Sequence, residues 1–368
     1  MSNIVIDARE LRTSSGRYVE RLLHYLQQLE SKHTFTVLVK PEDEAGWLPT
    51  NSRFTKVTCP HKEFTFDEQS SYVQQLNKIR TSTGGDLVHF TFPQQPILYS
   101  GKTVTTIHDL TTMRFTNPNK QPIVFKLKQL VYRYVVKRAV HKAAAVIAIS
   151  EYTRNDVLNF SGIDPAKITV TLESADVINT SASPLAPLKK KRFIMYIGRP
   201  TPHKNLERLI EAFALLHANH PKLLLVLAGK KDANYRRIEA NVSDTLRPYI
   251  VFTDFVSEGQ LRWLYEHAAA YVFPSLSEGF GLPGLEAMLH GTPVVSSSAT
   301  CLPEIYGDAA HYFDPLDVTA MADAINEVIT DDKLRERLVR AGHAQAEQYS
   351  WQRMAELTLA IYDGVLKD

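Results

Sequence analysis

The stretch FPSLSEGFGLPGLEAMLHGTPVV, residues 273–295, carries two carboxylates, Glu278 and Glu286, around a glycine–proline interior. Gly279, Gly281 and Pro283 forbid one continuous helix through both acids. Pro283 suits the start of a helix. The spacing therefore predicts Glu278 on a loop at a strand end and Glu286 in the first turn of the next helix, both turned towards one ligand. The free N–H groups of that helix and the glycine loop would form a site for an anion or for sugar hydroxyls. The plainer alternative is that Glu286 only complements the helix dipole and Glu278 is solvated.

A second set lies in GRPTPHKNLERLIEAF, residues 198–213. Arg199 and Lys204 stand where a strand gives way to an amphipathic helix, an arrangement that suits a diphosphate or an ordinary charged surface loop. A third set is TIHDL, residues 106–110, with His108 and Asp109 at the carboxyl end of a strand. They could be an acid/base pair, an orienting dipole or a structural pair. The loop TSSGRY, residues 13–18, opens a helix and places Gly16 and Arg17 to meet an anion or an acceptor.

Gly279, Gly281 and Gly284 also fit G-x-G-x-x-G, with Glu304 twenty residues beyond Gly284. The rival reading is thus a dinucleotide-binding oxidoreductase. Against it, PSLSE intervenes between Phe273 and the first glycine, and the opening NIVIDARELRTSSG lacks a glycine set.

These residues need a scaffold that brings strand ends together. Short apolar runs alternate with helical ones: NIVID, FTVLV, RFTKVTC, DLVHF, TVTTIHD, AAVIAIS and KITVT in the first half, then RFIMYIG, KLLLVLAG, YIVFTDF, AYVFPS and TPVVSSS. Such alternation predicts parallel sheets with helices on both faces. The stretch 174–192, rich in Ser, Ala, Pro and Lys, reads as a linker between two doubly wound units. Helices are expected near 204–218, 234–246, 258–268, 316–330, 332–348 and 351–366. The fold class is therefore α/β, two Rossmann-like domains with a cleft between them and ligands at the carboxyl ends of the strands. The expected division is 1–175 plus about 350–368, a linker at 176–189, and 190–349.

Composition narrows the function classes. The 368 residues are 44% hydrophobic and 22% charged, with 42 Lys plus Arg against 40 Asp plus Glu. That balance excludes a globally basic nucleic-acid binder. Cys59 and Cys301 have no zinc-like spacing and fit a reducing cytosol. The start has no cationic n-region or long apolar run, so no signal peptide is expected, and no run is long enough to span a bilayer. From Leu110 to Ser150 there is no Asp or Glu, and the helical run 126–143 carries Lys126, Lys128, Arg133, Lys137, Arg138 and Lys142 with Tyr132 and Tyr134. This run either touches an anionic membrane surface or packs on the first sheet through Leu127, Leu130, Val131, Val135 and Ala139, leaving its cations as a solvated face.

Taken together, SSGRYVERLL, TIHDL, AVIAISEYTRNDV (145–157), IGRPTPHKNLERLIEAF and SEGFGLPGLEAMLHGTPVV resemble the nucleotide-sugar glycosyltransferases of the GT-B fold, in particular the retaining family four. The resemblance covers almost the whole chain. It implies that Arg199 and Lys204 hold the donor diphosphate, that Glu286 binds the ribose and Glu278 the donor sugar, and that the backbone of Gly279, Phe280, Gly281 and Leu282 contacts sugar and phosphate. It implies that His108 lies over the donor sugar near the reacting carbon, and that Gly16 and Arg17, with Asp109, sit by the diphosphate and acceptor. The first domain would be the acceptor side and the second the donor side, with the last helix, after Trp351, crossing back to the first. Two departures stand out: SSGR has one glycine where the family often has two, and the turn TLESAD lacks the family's glycine, so no role is assigned there.

The implied chemistry is coherent. Breaking a glycosyl–phosphate bond builds negative charge on the leaving diphosphate, which prepositioned cations and helix N–H groups stabilise. No D-x-D occurs in the chain, so no metal and no cofactor are expected. Retention points either to a carboxylate nucleophile, with Glu278 nearest by motif, or, as the resemblance favours, to a same-face displacement in which the leaving phosphate deprotonates the acceptor. The expectation is a cytoplasmic, metal-independent, retaining hexosyltransferase. GDP-mannose is the first donor choice and a glycan or lipid-linked molecule the acceptor. The alternatives are a non-catalytic nucleotide-sugar-binding partner and a sugar epimerase of the same fold.

Overall fold

The computed structural model describes residues 2–11, 13, 16–63, 65–115 and 122–367, without the side chains of Pro122 and Val124. Ser14 and Ser15 of the TSSGRY loop lie outside the described residues. The chain divides into two compact units. One comprises Met1–Met113, Lys126–Glu173 and Ser350–Asp368; the other comprises Arg114–Phe125 and Ser174–Tyr349.

The first unit is built on a seven-stranded sheet. Its strands are β1 (Asn3–Asp7), β2 (Thr34–Val39), β3 (Phe54–Thr58), β4 (Gly85–Phe90), β5 (Thr103–Ile107), β6 (Ala145–Ala148) and β7 (Ile168–Val170). The order is β3-β2-β1-β4-β5-β6-β7, with every neighbouring pair parallel. β1 and β5 are buried along their whole length, as β-branched runs covered on both faces must be. The order reverses between β1 and β4, which opens a crevice at their carboxyl ends.

The second unit repeats the plan with six parallel strands: β8 (Phe193–Ile197), β9 (Leu224–Ala228), β10 (Ile250–Phe252), β11 (Ala270–Phe273), β12 (Val294–Ser297) and β13 (Ala310–Phe313). Their order is β10-β9-β8-β11-β12-β13. The reversal falls between β8 and β11. β13 is absent from the strands expected from sequence.

The last helix, Trp351–Lys367, belongs to the first unit. Tyr362 is buried with its hydroxyl 2.5 Å from Nδ1 of His89, Asp363 meets Nε2 of His33 at 2.9 Å, and Lys102 Nζ donates to the Val365 carbonyl. Burial and the charge of His108 push His89 down to about 3, so it stays neutral between Tyr362 and Thr106.

Two expectations need correction. The stretch 176–189, read as a linker, is fastened to the second unit. Thr180 Oγ1 donates to Glu258, Arg262 donates to the carbonyls of Ile178 and Thr180, and Ser183 N donates to the Gly259 carbonyl. The basic helix spans Pro122–Lys142, and its core side is Tyr132, Val135, Val136, Ala139 and Val140. Of the expected stripe Val135 and Ala139 are buried, but Leu127, Leu130 and Val131 are exposed.

Candidate active site

On the second unit the expected residues gather at the carboxyl edge around the β8/β11 reversal. β8 is followed by Gly198, where φ is +148° and an added Cβ would lie 2.6 Å from the Tyr196 hydroxyl. Arg199 follows on the surface, with no ion pair among the described residues. The chain then turns through Pro202–Lys204 into the helix Leu206–Asn219. Asn205 takes the left-handed conformation, φ +60°, and its buried amide donates to the carbonyls of Pro274 and Pro315 at 3.0 and 2.8 Å. This bond locks the loop after β8 to the loop after β11.

The lock brings Lys204 onto Glu278. Nζ lies 2.6 and 2.9 Å from the two carboxylate oxygens and 5.8 Å above the Phe273 ring. Glu278 is held from behind: its N–H donates to Thr300 Oγ1 at 3.1 Å, and Cys301 Sγ donates to its carbonyl. Burial, with the charge of Glu278 next, holds the Cys301 thiol well above its ordinary range, so it acts here as a neutral donor.

Glu286 is 5% exposed, and the Tyr265 hydroxyl donates to its Oε2 at 3.0 Å. Its helix spans Leu282–Leu289, with Pro283 as the second residue. Glu286 therefore opens the second turn rather than sitting in the first. The glycines have a specific structural task. Gly281 caps this helix at φ +106°, its carbonyl accepts from the Tyr306 hydroxyl at 2.5 Å, and a Cβ on Gly284 would lie 2.2 Å from that hydroxyl. The Tyr306 ring thus fills the space that the glycines leave. This accounts for Gly281 and Gly284 without a dinucleotide, and Glu304 is exposed on the short helix Leu302–Tyr306. Phe280 is buried edge-on against Tyr349.

On the first unit, His108 and Asp109 follow β5, while Gly16 and Arg17 open the helix Gly16–Leu26 that follows β1. All four therefore stand at the carboxyl edge of the first sheet. Gly16 admits no side chain, because a Cβ would lie 2.0 Å from the Leu11 carbonyl oxygen. Arg17 is exposed. Asp109 accepts from the Thr111 N–H at 2.7 Å, so it shapes the turn after His108. The His108 ring is mostly buried, edge-on to Tyr18 at 4.9 Å, with Nε2 2.9 Å from the Thr91 carbonyl oxygen.

The partner of Nδ1 is Glu173, at 3.4 Å and 5% exposed. Burial alone would depress the His108 pKa, but the hydrogen bond and charge of Glu173, the Thr91 carbonyl and Asp109 together raise it. Glu173 lies in TLESAD, the turn to which the sequence reading gave no role. The only available signal was an acid where the family pattern lapses.

A second cluster also escaped the sequence reading. Arg9, just past β1, is fully buried. It pairs with Asp7 at 2.8 Å and Glu68 at 3.1 Å, and its guanidinium lies 4.2 Å from the Tyr72 ring centroid. The Tyr72 hydroxyl donates to Asp7 at 2.7 Å. Isolated charges in DARELR gave no sign of a partner about sixty residues away.

Comparison with known proteins agrees with this fold. Residues 15–177 match the family profile described as Glycosyltransferase Family 4, and residues 178–345 match that of Glycosyl transferases group 1. The chain is 33% identical over 277 residues to O-antigen chain mannosyltransferase B of Escherichia coli, covering 71% of this chain and 70% of that one. Among solved structures, a sucrose-phosphate synthase from Thermosynechococcus elongatus superposes with a TM-score of 0.79 at 19% identity, over 100% of both chains. Anabaena HepE in complex with UDP-glucose superposes with a TM-score of 0.73 at 17% identity, over 99% of this chain and 100% of that one. Two parallel α/β sheets, a cation–carboxylate set at the second reversal and these matches lead to one conclusion: the chain belongs to the family-four glycosyltransferases of the GT-B fold.

Proposed function

We propose that this glycosyltransferase moves mannose from GDP-mannose to a glycan or lipid-linked acceptor, with retention of anomeric configuration and without a metal ion. The observation that carries the donor assignment is the Lys204–Glu278 pair at the carboxyl edge of the second sheet, with Arg199 following β8 and Glu286 on the helix after Glu278. Arg199 and Lys204 supply the charge that a leaving diphosphate needs, and the start of the helix Leu282–Leu289 adds its N–H groups. Glu286, oriented by Tyr265, takes the ribose, and Glu278 takes hydroxyls of the sugar. Gly279, Phe280, Gly281 and Leu282 offer backbone to sugar and phosphate. The mannose assignment is supported by the relative named an O-antigen chain mannosyltransferase.

Glu278 is poorly suited to act as a nucleophile. Both its oxygens accept from Lys204, which draws charge from the carboxylate. This favours same-face displacement, in which the leaving phosphate takes the acceptor proton. His108, Asp109, Gly16 and Arg17 on the first unit serve the acceptor side, with His108 held by Thr91 and Glu173.

The test is turnover with GDP-mannose, UDP-glucose and UDP-N-acetylglucosamine in excess EDTA with a mannan oligosaccharide, followed by NMR of the product. An α-linked mannosyl product, formed despite EDTA, is expected. An inverted product or a strict Mg²⁺ requirement would overturn the mechanism, and a preference for a UDP-sugar would overturn the donor. Nucleotide-sugar binding without transfer would identify a binding partner, and conversion of donor without acceptor an epimerase.

A further inference from the structure

The helix Pro122–Lys142 has two apolar sides. One is core: Tyr132, Val136 and Val140 pack with Ile107, Leu110 and Val146 of the first unit. The other faces solvent, with Leu127 62%, Leu130 63% and Tyr134 62% exposed. At about 100° per residue these three side chains fall within about 60° of one another, on the pole opposite Tyr132, Val136 and Ala139. Exposed cations border this strip, Lys126 and Lys137 on one flank and Arg138 on the other, with Lys128 nearby. No acid occurs between Leu110 and Ser150 to neutralise them.

The strip has a defined place in the fold. A crossover helix between parallel strands runs antiparallel to them, so its first half lies at their carboxyl edge. The contacts agree: Gln129 Nε2 donates to the Thr112 carbonyl at 2.9 Å, in the turn just after His108 and Asp109. The exposed apolar strip therefore stands on the same edge of the first unit as His108.

We propose that this helix face docks on an anionic bilayer surface, with Leu127, Leu130 and Tyr134 entering the headgroup region and the flanking cations meeting lipid phosphates. Charge selects this occupant. Lysines and an arginine around an apolar strip, none of them in an ion pair among the described residues, complement a negative interface. A second copy of the chain, related by a twofold axis through the strip, would set cations against cations. The docking does not depend on which sugar is transferred, and it brings His108's edge of the first unit to the membrane, where lipid-linked acceptors reside.

The experiment is co-sedimentation of the full chain with phosphatidylcholine vesicles, with and without phosphatidylglycerol. It is run at low and high salt, because the Debye length shrinks from about 10 Å at 0.1 M to about 3 Å at 1 M. The chain should pellet with the phosphatidylglycerol vesicles, not with pure phosphatidylcholine, and salt should weaken the binding. The quadruple variant K126E/K128E/K137E/R138E should lose at least about 10²-fold in partitioning. Leu127→Ser with Leu130→Ser should lose binding even at low salt. All substituted side chains are exposed, so melting temperatures near that of the wild type are expected and check folding. No pelleting of the wild type at low salt, or charge-reversed and serine variants that pellet like it, would overturn the proposal. So would light scattering that shows a wild-type dimer broken by Leu130→Ser, since the strip would then be a self-association surface.

Discussion

Lys204 Nζ sits between the two carboxylate oxygens of Glu278, so the two residues expected to bind the donor hold each other. Their side chains are 20% and 12% exposed, which leaves the pair open to a ligand from one side. Under the proposed function a nucleotide-diphosphate sugar would satisfy both at once, phosphate on the ammonium and hydroxyls on the carboxylate. Lys204→Ala and Glu278→Ala should each lower kcat/KM by about 10²-fold or more, and the double variant by less than the product of the two. Steady-state kinetics on the three variants check this. Strict multiplicativity would mean that the two residues act independently.

Glu173 makes a pH-dependent contribution. It raises the folded-state pKa of His108 above the roughly 6.5 of a free imidazole. Stability from this pair is therefore fully present below about pH 6.5 and is lost as pH rises through the folded-state value. Glu173→Gln should destabilise the protein at pH 5.5 far more than at pH 9, and should move the His108 imidazole titration to lower pH. Urea unfolding at the two pH values and NMR titration of the ring proton measure both effects. An unchanged titration would remove Glu173 from this role.

The glycines beside Tyr306 are under steric constraint, whereas Gly364 is not. Gly284→Ala forces a methyl against the Tyr306 hydroxyl and should cost about 1–3 kcal/mol, lowering Tm. Gly364, in the last helix, has nothing within 4 Å of an added Cβ, so Gly364→Ala should stabilise by about 0.5–1 kcal/mol. Calorimetry on both variants tests the packing account. A neutral Gly284→Ala would mean that Tyr306 moves aside freely.

Much of this architecture is legible in the sequence because the physics is local. All seven strands of the first sheet coincide with short apolar runs, and β1, β2, β4, β5 and β6 are mostly buried, whereas the edge strands β3 and β7 are partly exposed. β13 is not legible: AHYF is four residues long with His311 and Tyr312 only partly buried, so no apolar run marks it. The helix Pro122–Lys142 misleads because it is apolar on both sides, and periodicity alone could not choose between Leu127–Leu130 and Tyr132–Val136 as the core face. Among the site residues, the Glu278 and Lys204 motifs are local and readable. Glu173 and the Asp7–Arg9–Glu68 cluster are not, since each depends on a partner that only the folded chain brings near.

The central claim is that the carboxyl edge of the second sheet holds a nucleotide-diphosphate sugar through Arg199 and Lys204. Isothermal titration of GDP-mannose into the wild type, Arg199→Ala and Lys204→Ala, all in EDTA, tests it most directly. Arg199 is exposed and has no ion pair among the described residues, so its removal should leave Tm unchanged. Wild-type binding that weakens about 10-fold or more in each variant, as expected for loss of a charge-assisted contact to phosphate, is the result the account requires. Variants that bind GDP-mannose as tightly as the wild type, or a wild type that binds no nucleotide sugar at all, would contradict it.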